Sequence, residues 1–170
     1  QVPLTEKSGR NEDAPLLPSN PYSASKASAD LLVLSYFRTY GLPVTITRSC
    51  NNFGVGQHRE KLIPKVIYNA LNCLEIPVYG DGLQHRCWIS AEEYCRAVAA
   101  VLEKGKPGEI YNVAPQAELE NLALIHRILK QLGCGKELIR LVEDRPGHDR
   151  CYRIHAGKIH KELGFRTHGD

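Results

Sequence analysis

The sequence contains no methionine among its 170 residues. Because the chain opens on the polar stretch QVPLTEKSGR, without an initiator, we expect it to begin inside a longer protein. It has no apolar run long enough to cross a bilayer, and the opening stretch lacks the apolar core of a secretory signal. The sequence therefore predicts neither a membrane-spanning protein nor a secreted one.

The chain also has few aromatic residues and a small net charge. Phe, Trp and Tyr make up 7% of the chain, the net charge is +3, and the basic residues are scattered. A nucleic-acid-binding surface needs a concentrated basic patch, so we expect no nucleic-acid partner. The six cysteines include no C-x-x-C pair and have no His-rich spacing beside them. We therefore expect no metal site, and reduced thiols in a cytoplasmic protein.

Helix-like and strand-like segments alternate along the chain. The residue pattern predicts a loop over 1–19, a loop in CNNFGVGQH, and helices at 21–40, 61–72, 90–105, 119–133 and 156–165. It predicts strands at 43–49, in IPVYGDG, in EIYNVA and in LIRLVE. This alternation indicates an α/β fold. The first helix carries two apolar stripes, so we expect cover on both sides, by a sheet and with another subunit as one candidate for the second side.

Tyr22 and Lys26 lie four residues apart at the start of the first predicted helix, so they share one face. An ammonium about 4 Å from a phenol supplies roughly 4 kcal/mol, enough to lower a phenol pKa by up to about three units. Such a pair could exchange a proton with an alcohol or a carbonyl, and the lysine could reach a ribose hydroxyl. Chance spacing on an ordinary helix is the alternative, and the residues alone leave it open.

Two asparagines follow the strand predicted at 43–49. Asn51 and Asn52 stand where ligands bind in open α/β sheets. An ordinary Asx turn is the competing interpretation.

Several cations are of the kind that holds phosphate oxygens. They are Lys61, Arg86, Arg145, His148 and Arg150. The alternative is that Asp144 and Asp149 simply form surface ion pairs with the arginines.

Taken together, these segments resemble a known family. PSNPYSASKASADLL, YGLPVTITRSCNNFG, EKLIPKVI, IPVYGDGLQHRCWI, GEIYNVA and DRPGHDRCYRI resemble the dTDP-glucose 4,6-dehydratases of the extended short-chain dehydrogenase/reductase group. The similarity runs from Pro18 onward. It implies an α/β fold with a partial NAD-binding Rossmann-type parallel sheet (1–55 and 86–108) and a smaller C-terminal sugar-nucleotide-binding α/β region (56–85 and 109–170).

The resemblance also implies an activity. These enzymes oxidise carbon four of the glucosyl group with NAD, eliminate water across carbons five and six, and return the hydride to carbon six. By matching position, Tyr22 would be the base, and Lys26 would favour loss of its proton and hold the nicotinamide ribose. Asn52 would also contact NAD. The implied partners are dTDP-glucose and a second copy of the chain, packed across the first helix.

The resemblance further implies a set of substrate-binding residues. They are Asn51, Lys61, Leu62, Pro77, Val78, Tyr79, Arg86, Asn121, Asp144, Arg145, Pro146, Gly147 and His148. Among them, Arg86 and the DRPGH turn would hold the diphosphate and the nucleoside.

The sequence departs from the family pattern in several places. The Gly-rich turn and the T-D-E stretch with the acid and base carboxyls are absent, Cys87 stands in place of Asp, and Val55 in place of Pro. We therefore expect an incomplete enzyme whose first helix exposes an apolar face, so that the chain is poorly stable or associates. Two alternatives stay open: a dTDP-sugar-binding module without chemistry, and a UDP-sugar epimerase or decarboxylase, against which RPGHDR argues.

Overall fold

A computed structural model describes residues 9–168, so the first part of the loop predicted at 1–19 lies outside the described residues. Five α-helices are present: α1 (Pro21–Tyr40), α2 (Leu62–Leu71), α3 (Ala91–Lys104), α4 (Asn121–Leu132) and α5 (Gly157–Leu163). The strands are β1 (Ile46–Ser49), β2 (Asn51–Phe53), β3 (Ile76–Tyr79), β4 (His85–Ser90), β5 (Ile110–Val113), β6 (Glu118–Glu120), β7 (Ile139–Val142) and β8 (Cys151–Tyr152). All five predicted helices and the α/β class are confirmed.

The strands form three small groups, and most of their pairs are parallel. β1 pairs with β5, β3 pairs with β7, and β4 pairs with both β2 and β8, all in parallel. β6 joins β4 antiparallel. Parallel strands need crossover connections, and the helices between them supply these.

Three predicted elements differ from the structure in their boundaries. The loop predicted from Cys50 onward contains β2, which pairs with β4. The helix predicted at 119–133 begins two residues later, because Glu118–Glu120 pair with β4 instead. The strand predicted from residue 43 begins at Ile46: the Val44 N–H donates to Leu42 O at 2.8 Å in a turn, and the ladder starts where Ile46 N–H donates to Glu109 O at 3.0 Å.

The predicted helix ends have the expected local causes. Asn20 caps α1 by accepting a hydrogen bond from the Ser23 N–H at 2.9 Å, and Pro21 occupies the first turn. Gly41 ends α1 in the left-handed conformation. Ser90 caps α3 by accepting from the Glu93 N–H at 3.1 Å. These contacts lie within four residues, which is why the sequence predicts them.

The buried side chains form two cores. The first is built around β4, β5, α3 and α5 and includes Ile89, Val101, Tyr111 and Ile159. The second joins β3 to α2 and α4 and consists of Val66, Ala70, Ile76, Val78, Ile125 and Leu129. The division into a Rossmann-type part and a sugar-nucleotide part stays a prediction. β5 pairs with β1 across its proposed boundary after residue 108.

α1 lies on the surface and has no buried residue. One side of α1 is partly covered, since Ala27, Asp30 and Phe37 are half-buried and Asp30 is bound to Arg48 of β1. Cover of the other side by a second subunit stays a prediction. Its outer face exposes a set of large apolar side chains, namely Leu31, Leu32, Tyr36 and Tyr40. The expectation of an exposed apolar helix face is confirmed, and burying that face would be favourable by about 25 cal/mol per Å².

We expect this chain to self-associate through α1. In size-exclusion chromatography it should elute above the monomer mass, increasingly so as its concentration rises. Leu31→Glu combined with Leu32→Glu should shift it towards the monomer, because both leucines are 61% exposed and charge there opposes burial. Leu102→Glu, at a residue 76% exposed on α3, is the matched control. A wild-type chain that elutes as a monomer at every concentration would contradict this prediction.

No helix among residues 9–168 combines the length and the hydropathy needed to span a bilayer.

Candidate functional site

The start of α1 is fixed to the turn at 144–149. Asn20 Nδ2 donates to Gly147 O at 3.4 Å, while its Oδ1 caps the helix. Ser19 Oγ donates to Asp149 Oδ1 at 3.0 Å. Gly147 has φ +68, and a Cβ there would lie 3.1 Å from Ser19 O. Only glycine suits both the backbone conformation and this close approach.

Tyr22 and Lys26 lie just beyond this contact, in the first two turns of α1. Both are exposed, Tyr22 by 75%, so the phenol hydroxyl is accessible to a ligand. The helix places them one turn apart, as predicted. Farther along α1, Asp30 Oδ2 accepts from Arg48 Nε at 2.6 Å, which holds the helix beside β1. Tyr22 and Lys26, whose role in proton transfer stays a prediction, therefore lie at the surface near the turn at 144–149.

Arg86 lies on β4 and is only 9% exposed. Its Nη1 donates to His85 O at 2.7 Å and its Nη2 donates to Asp149 O at 2.6 Å. Burial lowers the pKa of the Arg86 guanidinium below its usual value. An arginine nevertheless keeps its charge in proteins. Arg86 therefore brings a buried positive charge to the turn that also contacts the start of α1.

Arg150 does form a surface ion pair, but its partner is Asp81 and not the predicted Asp144 or Asp149. Arg150 Nη1 donates to Asp81 Oδ1 at 2.6 Å, and this hydrogen bond lowers the pKa of Asp81 to about 2. Asp149, by contrast, uses its carboxylate for Ser19 and its carbonyl for Arg86. Arg150 thus already has a carboxylate partner, whereas Arg86 donates to two neutral carbonyl oxygens, and the phosphate-binding role of Arg86 stays a prediction.

The other candidates around the turn form a single hydrogen-bonded group. Asp144 Oδ1 contacts His148 Nδ1 at 2.6 Å, and His148 Nε2 contacts Arg145 Nη2 at 3.1 Å. The His148 hydrogen bond holds the pKa of Asp144 below its usual value. The Arg145 guanidinium lies 4.9 Å from the centre of the Tyr79 ring, within the range of a cation–π contact. The structure therefore brings together Tyr79 and the predicted turn.

Gln84 connects this group to Asn121. It is 1% exposed, and its Nε2 donates to Tyr79 O at 3.1 Å and to Asp144 Oδ2 at 3.2 Å. Its Oε1 accepts from Asn121 Nδ2 at 3.4 Å. Gln84 is not recognisable from the sequence as a site residue, and neither are Ser19 and Asn20 as contacts of the turn. No local pattern marks such residues, because their partners lie far away in the sequence.

Asn51 and Asn52 lie in β2, so the Asx-turn alternative is wrong. Asn52 Nδ2 donates to Ser49 Oγ at 2.9 Å and to Cys50 O at 3.2 Å. Its Oδ1 is buried and has no hydrogen-bond partner among the described residues. A buried amide oxygen of this kind requires a donor, and a bound ligand is one way to supply it.

The remaining candidates lie farther from the turn, and their binding roles stay predictions. Lys61 is exposed at the N-terminus of α2. Leu62 and Val78 pack in the second core, and Pro77 is half-buried on β3. Among the cysteines, burial raises the pKa of Cys87 to about 11 and that of Cys50 to about 12. Both thiols therefore stay protonated at neutral pH and are poor nucleophiles.

Comparisons with known proteins agree with the fold. The crystal structure of DesIV (dTDP-glucose 4,6-dehydratase) from Streptomyces venezuelae, which contains NAD, superposes with a TM-score of 0.93 at 45% identity. The match covers 96% of this chain and 51% of the DesIV chain. The Rossmann-type parallel architecture inferred from the sequence is confirmed by this match.

The curated sequence relatives agree with this structural match. The low-salt glycan biosynthesis protein Agl12 of Haloferax volcanii is 53% identical over 91% of this chain and 49% of its own length. The dTDP-glucose 4,6-dehydratase of Streptomyces niveus is 45% identical over 91% of this chain and 46% of its own length. The chain thus spans about half the length of these relatives, and the predicted resemblance to dTDP-glucose 4,6-dehydratases is confirmed. With the model of the GDP-mannose 4,6 dehydratase family matching residues 4–169, the chain belongs to that family.

Proposed function

We propose that this chain is the nucleotide-holding and proton-transferring part of an NAD-dependent dTDP-glucose 4,6-dehydratase. Such an enzyme converts dTDP-glucose to dTDP-4-keto-6-deoxyglucose. One observation carries the proposal: the helix start that bears Tyr22 is hydrogen-bonded to the turn that Arg86 holds. A base for a sugar hydroxyl and cations for a diphosphate thus belong to one connected piece of structure.

The residues divide the proposed work between them. Arg86 and Arg145 hold the diphosphate, because guanidinium groups match phosphate oxygens in charge and geometry. Asn121 and the 144–148 turn complete the nucleotide site. Tyr22 takes the proton of the sugar hydroxyl, and Lys26 lies one helical turn away on the same face of α1. Holding the nucleotide end fixes where the sugar hydroxyl lies relative to Tyr22, which accelerates the step by orientation.

The described residues fit part of an NAD site. Lys26 is exposed beside Tyr22 and would reach a ribose hydroxyl, and the unpartnered Oδ1 of Asn52 would accept a hydrogen bond from the cofactor. Tyr22 completes the set proposed for NAD. When bound, NAD supplies hydride chemistry. The chain itself supplies the proton acceptor and the charge beside it.

A binding module without chemistry is the second candidate. It is favoured by the hydrogen bonds that the carboxylates of the 144–149 turn already make. Both carboxylates of the turn are already engaged, Asp144 with His148 and Gln84, and Asp149 with Ser19. Neither is free to protonate a leaving hydroxyl. In this case the chain would bind the dTDP end of the substrate and carry out no elimination.

Calorimetry with this chain tests the proposed ligand. We expect dTDP to bind, and UDP to bind more weakly, since we propose a site selective for thymidine. NAD binding together with turnover of dTDP-glucose to a keto-sugar would support the enzyme. Binding of dTDP without NAD or turnover would favour the module. Equal or tighter binding of UDP would contradict the proposed substrate and favour an epimerase or a decarboxylase.

We also propose a homodimer with α1 at the interface, supported by the exposed apolar face of that helix. The six free cysteines fit a reducing compartment, and the cytoplasm is the place we propose for the protein.

A further inference from the structure

Gln84 is the most deeply buried polar side chain of the candidate site. It is 1% exposed, and its amide contacts groups on three separate segments. These groups are the carbonyl of Tyr79 on β3, the carboxylate of Asp144 at the start of the turn, and the amide of Asn121 at the start of α4. Asn121 is also tied by its main chain, since its N–H donates to Gln84 O at 3.0 Å.

The surrounding backbone is shaped to allow these contacts. Gly80 has φ +60, and a Cβ there would lie 2.8 Å from Asp144 Oδ2 and 3.2 Å from Gln84 Nε2. A side chain at position 80 would therefore press on both partners of the Gln84–Asp144 hydrogen bond. Leu122 N–H donates to Gly82 O at 2.9 Å, which holds the turn between β3 and β4 against the start of α4.

The hydrogen bonds determine what Gln84 can do. Each of its amide hydrogens is directed to a different acceptor, so the side chain holds Asp144 at a set distance from Tyr79. Asp144 in turn fixes His148, and His148 contacts Arg145. Because Gln84 is neutral, it can donate to Asp144 without changing the charge available to a phosphate. A lysine or a glutamate in this place would add a charge to the buried site.

We propose that Gln84 is a positioning residue for the nucleoside diphosphate: it holds Asn121 and the Asp144–Arg145–His148 group in the arrangement that binds the ligand. This inference rests on the proposed function. Gln84 itself is enclosed by the three segments and acts through them.

The test introduces a like charge beside Asp144. Gln84→Glu replaces the donor to Asp144 with a carboxyl, whose pKa would be raised by burial and by the negative charge of Asp144. In calorimetry with dTDP at pH 8 we expect this variant to bind at least about tenfold more weakly than wild type. The deficit should shrink as the pH falls, because the protonated carboxyl can again donate a hydrogen bond. The pKa of Asp144 is below its usual value, so Asp144 stays ionised at a pH at which the introduced carboxyl is already protonated.

A double-mutant cycle separates positioning from general damage to the fold. In an Asp144→Asn background, Gln84→Glu no longer meets a like charge and can accept from the new amide. Its effect on dTDP affinity should therefore be severalfold smaller than in wild type. Gln131→Glu, at an exposed residue on α4, is the matched control and should bind dTDP like wild type.

The outcomes are distinguishable. If wild type binds dTDP and folded Gln84→Glu binds equally well at every pH, the positioning role is overturned while the proposed function stands. Equal fold-losses in both backgrounds would also overturn it. If Gln84→Glu alone fails to fold, the comparison of Asp144→Asn with the double variant decides, and a loss of tenfold or more there contradicts the inference. Absence of dTDP binding in wild type overturns the proposed function, and this inference with it.

Discussion

Replacing Tyr22 with phenylalanine should lower kcat for sugar oxidation by about 10²–10⁴-fold, which is the usual contribution of a positioned acid or base. The variant loses only the phenol hydroxyl, at a side chain that is 75% exposed, so the fold should be unaffected. KM should change little, because Arg86 and the 144–148 turn hold the nucleotide end. Single-turnover measurement of nicotinamide reduction in the NAD-bound holoenzyme with dTDP-glucose reports the step directly.

Tyr36→Phe is the matched control for this experiment. It removes the same hydroxyl from the same helix, at a side chain 48% exposed and nearly four turns beyond Tyr22. We expect it to oxidise the sugar at the wild-type rate. An undiminished rate in Tyr22→Phe would show that Tyr22 is not the base and that its spacing from Lys26 is incidental.

Replacing Arg86 with alanine should weaken dTDP binding by about 30–1,000-fold, because truncating a buried, hydrogen-bonded charge typically costs about 2–4 kcal/mol. The substitution removes the cation proposed for the diphosphate. It also leaves the carbonyls of His85 and Asp149 without the donors that now lie 2.7 and 2.6 Å away. The turn at 144–149 then loses one of its attachments to β4. Calorimetry with dTDP measures the affinity, and thermal unfolding should show a lower Tm.

Two further variants sharpen the result for Arg86. Arg86→Lys keeps the charge but lacks the planar fork that reaches two carbonyls, so we expect an intermediate loss of affinity. Arg140→Ala removes an exposed arginine paired with Glu75 on the surface, a contact of little energetic value, and should bind dTDP like wild type. Wild-type affinity in Arg86→Ala would exclude Arg86 from the nucleotide site.

The sequence predicts those features that depend on neighbouring residues. Asn20 and Ser90 cap their helices through contacts three residues away, and both caps are recognisable from the residue pattern alone. β2, β6 and β8 have only two or three residues each. They are held as strands by β4, from elsewhere in the chain, and so short a run shows no alternation of its own.

The same distinction applies to the site. Tyr22, Lys26, Arg86 and the 144–148 turn are identifiable as separate candidates, because their residue types suit proton transfer and phosphate binding. How they connect is not predictable in this way. Gln84 looks like an ordinary polar residue after a glycine turn, and only the fold shows that it contacts Tyr79, Asn121 and Asp144.

The attachment of α1 to the distant turn has a consequence for how the protein is made. Asn20 and Gly147 are 127 positions apart, and Ser19 and Asp149 are 130 apart. Contacts between such remote positions close the largest loops and form late in folding. During synthesis, a further 127 residues must be added after Asn20 before its partner Gly147 exists. A nascent chain interrupted before residue 147 would carry Tyr22 and Lys26, but it would lack the turn that positions them.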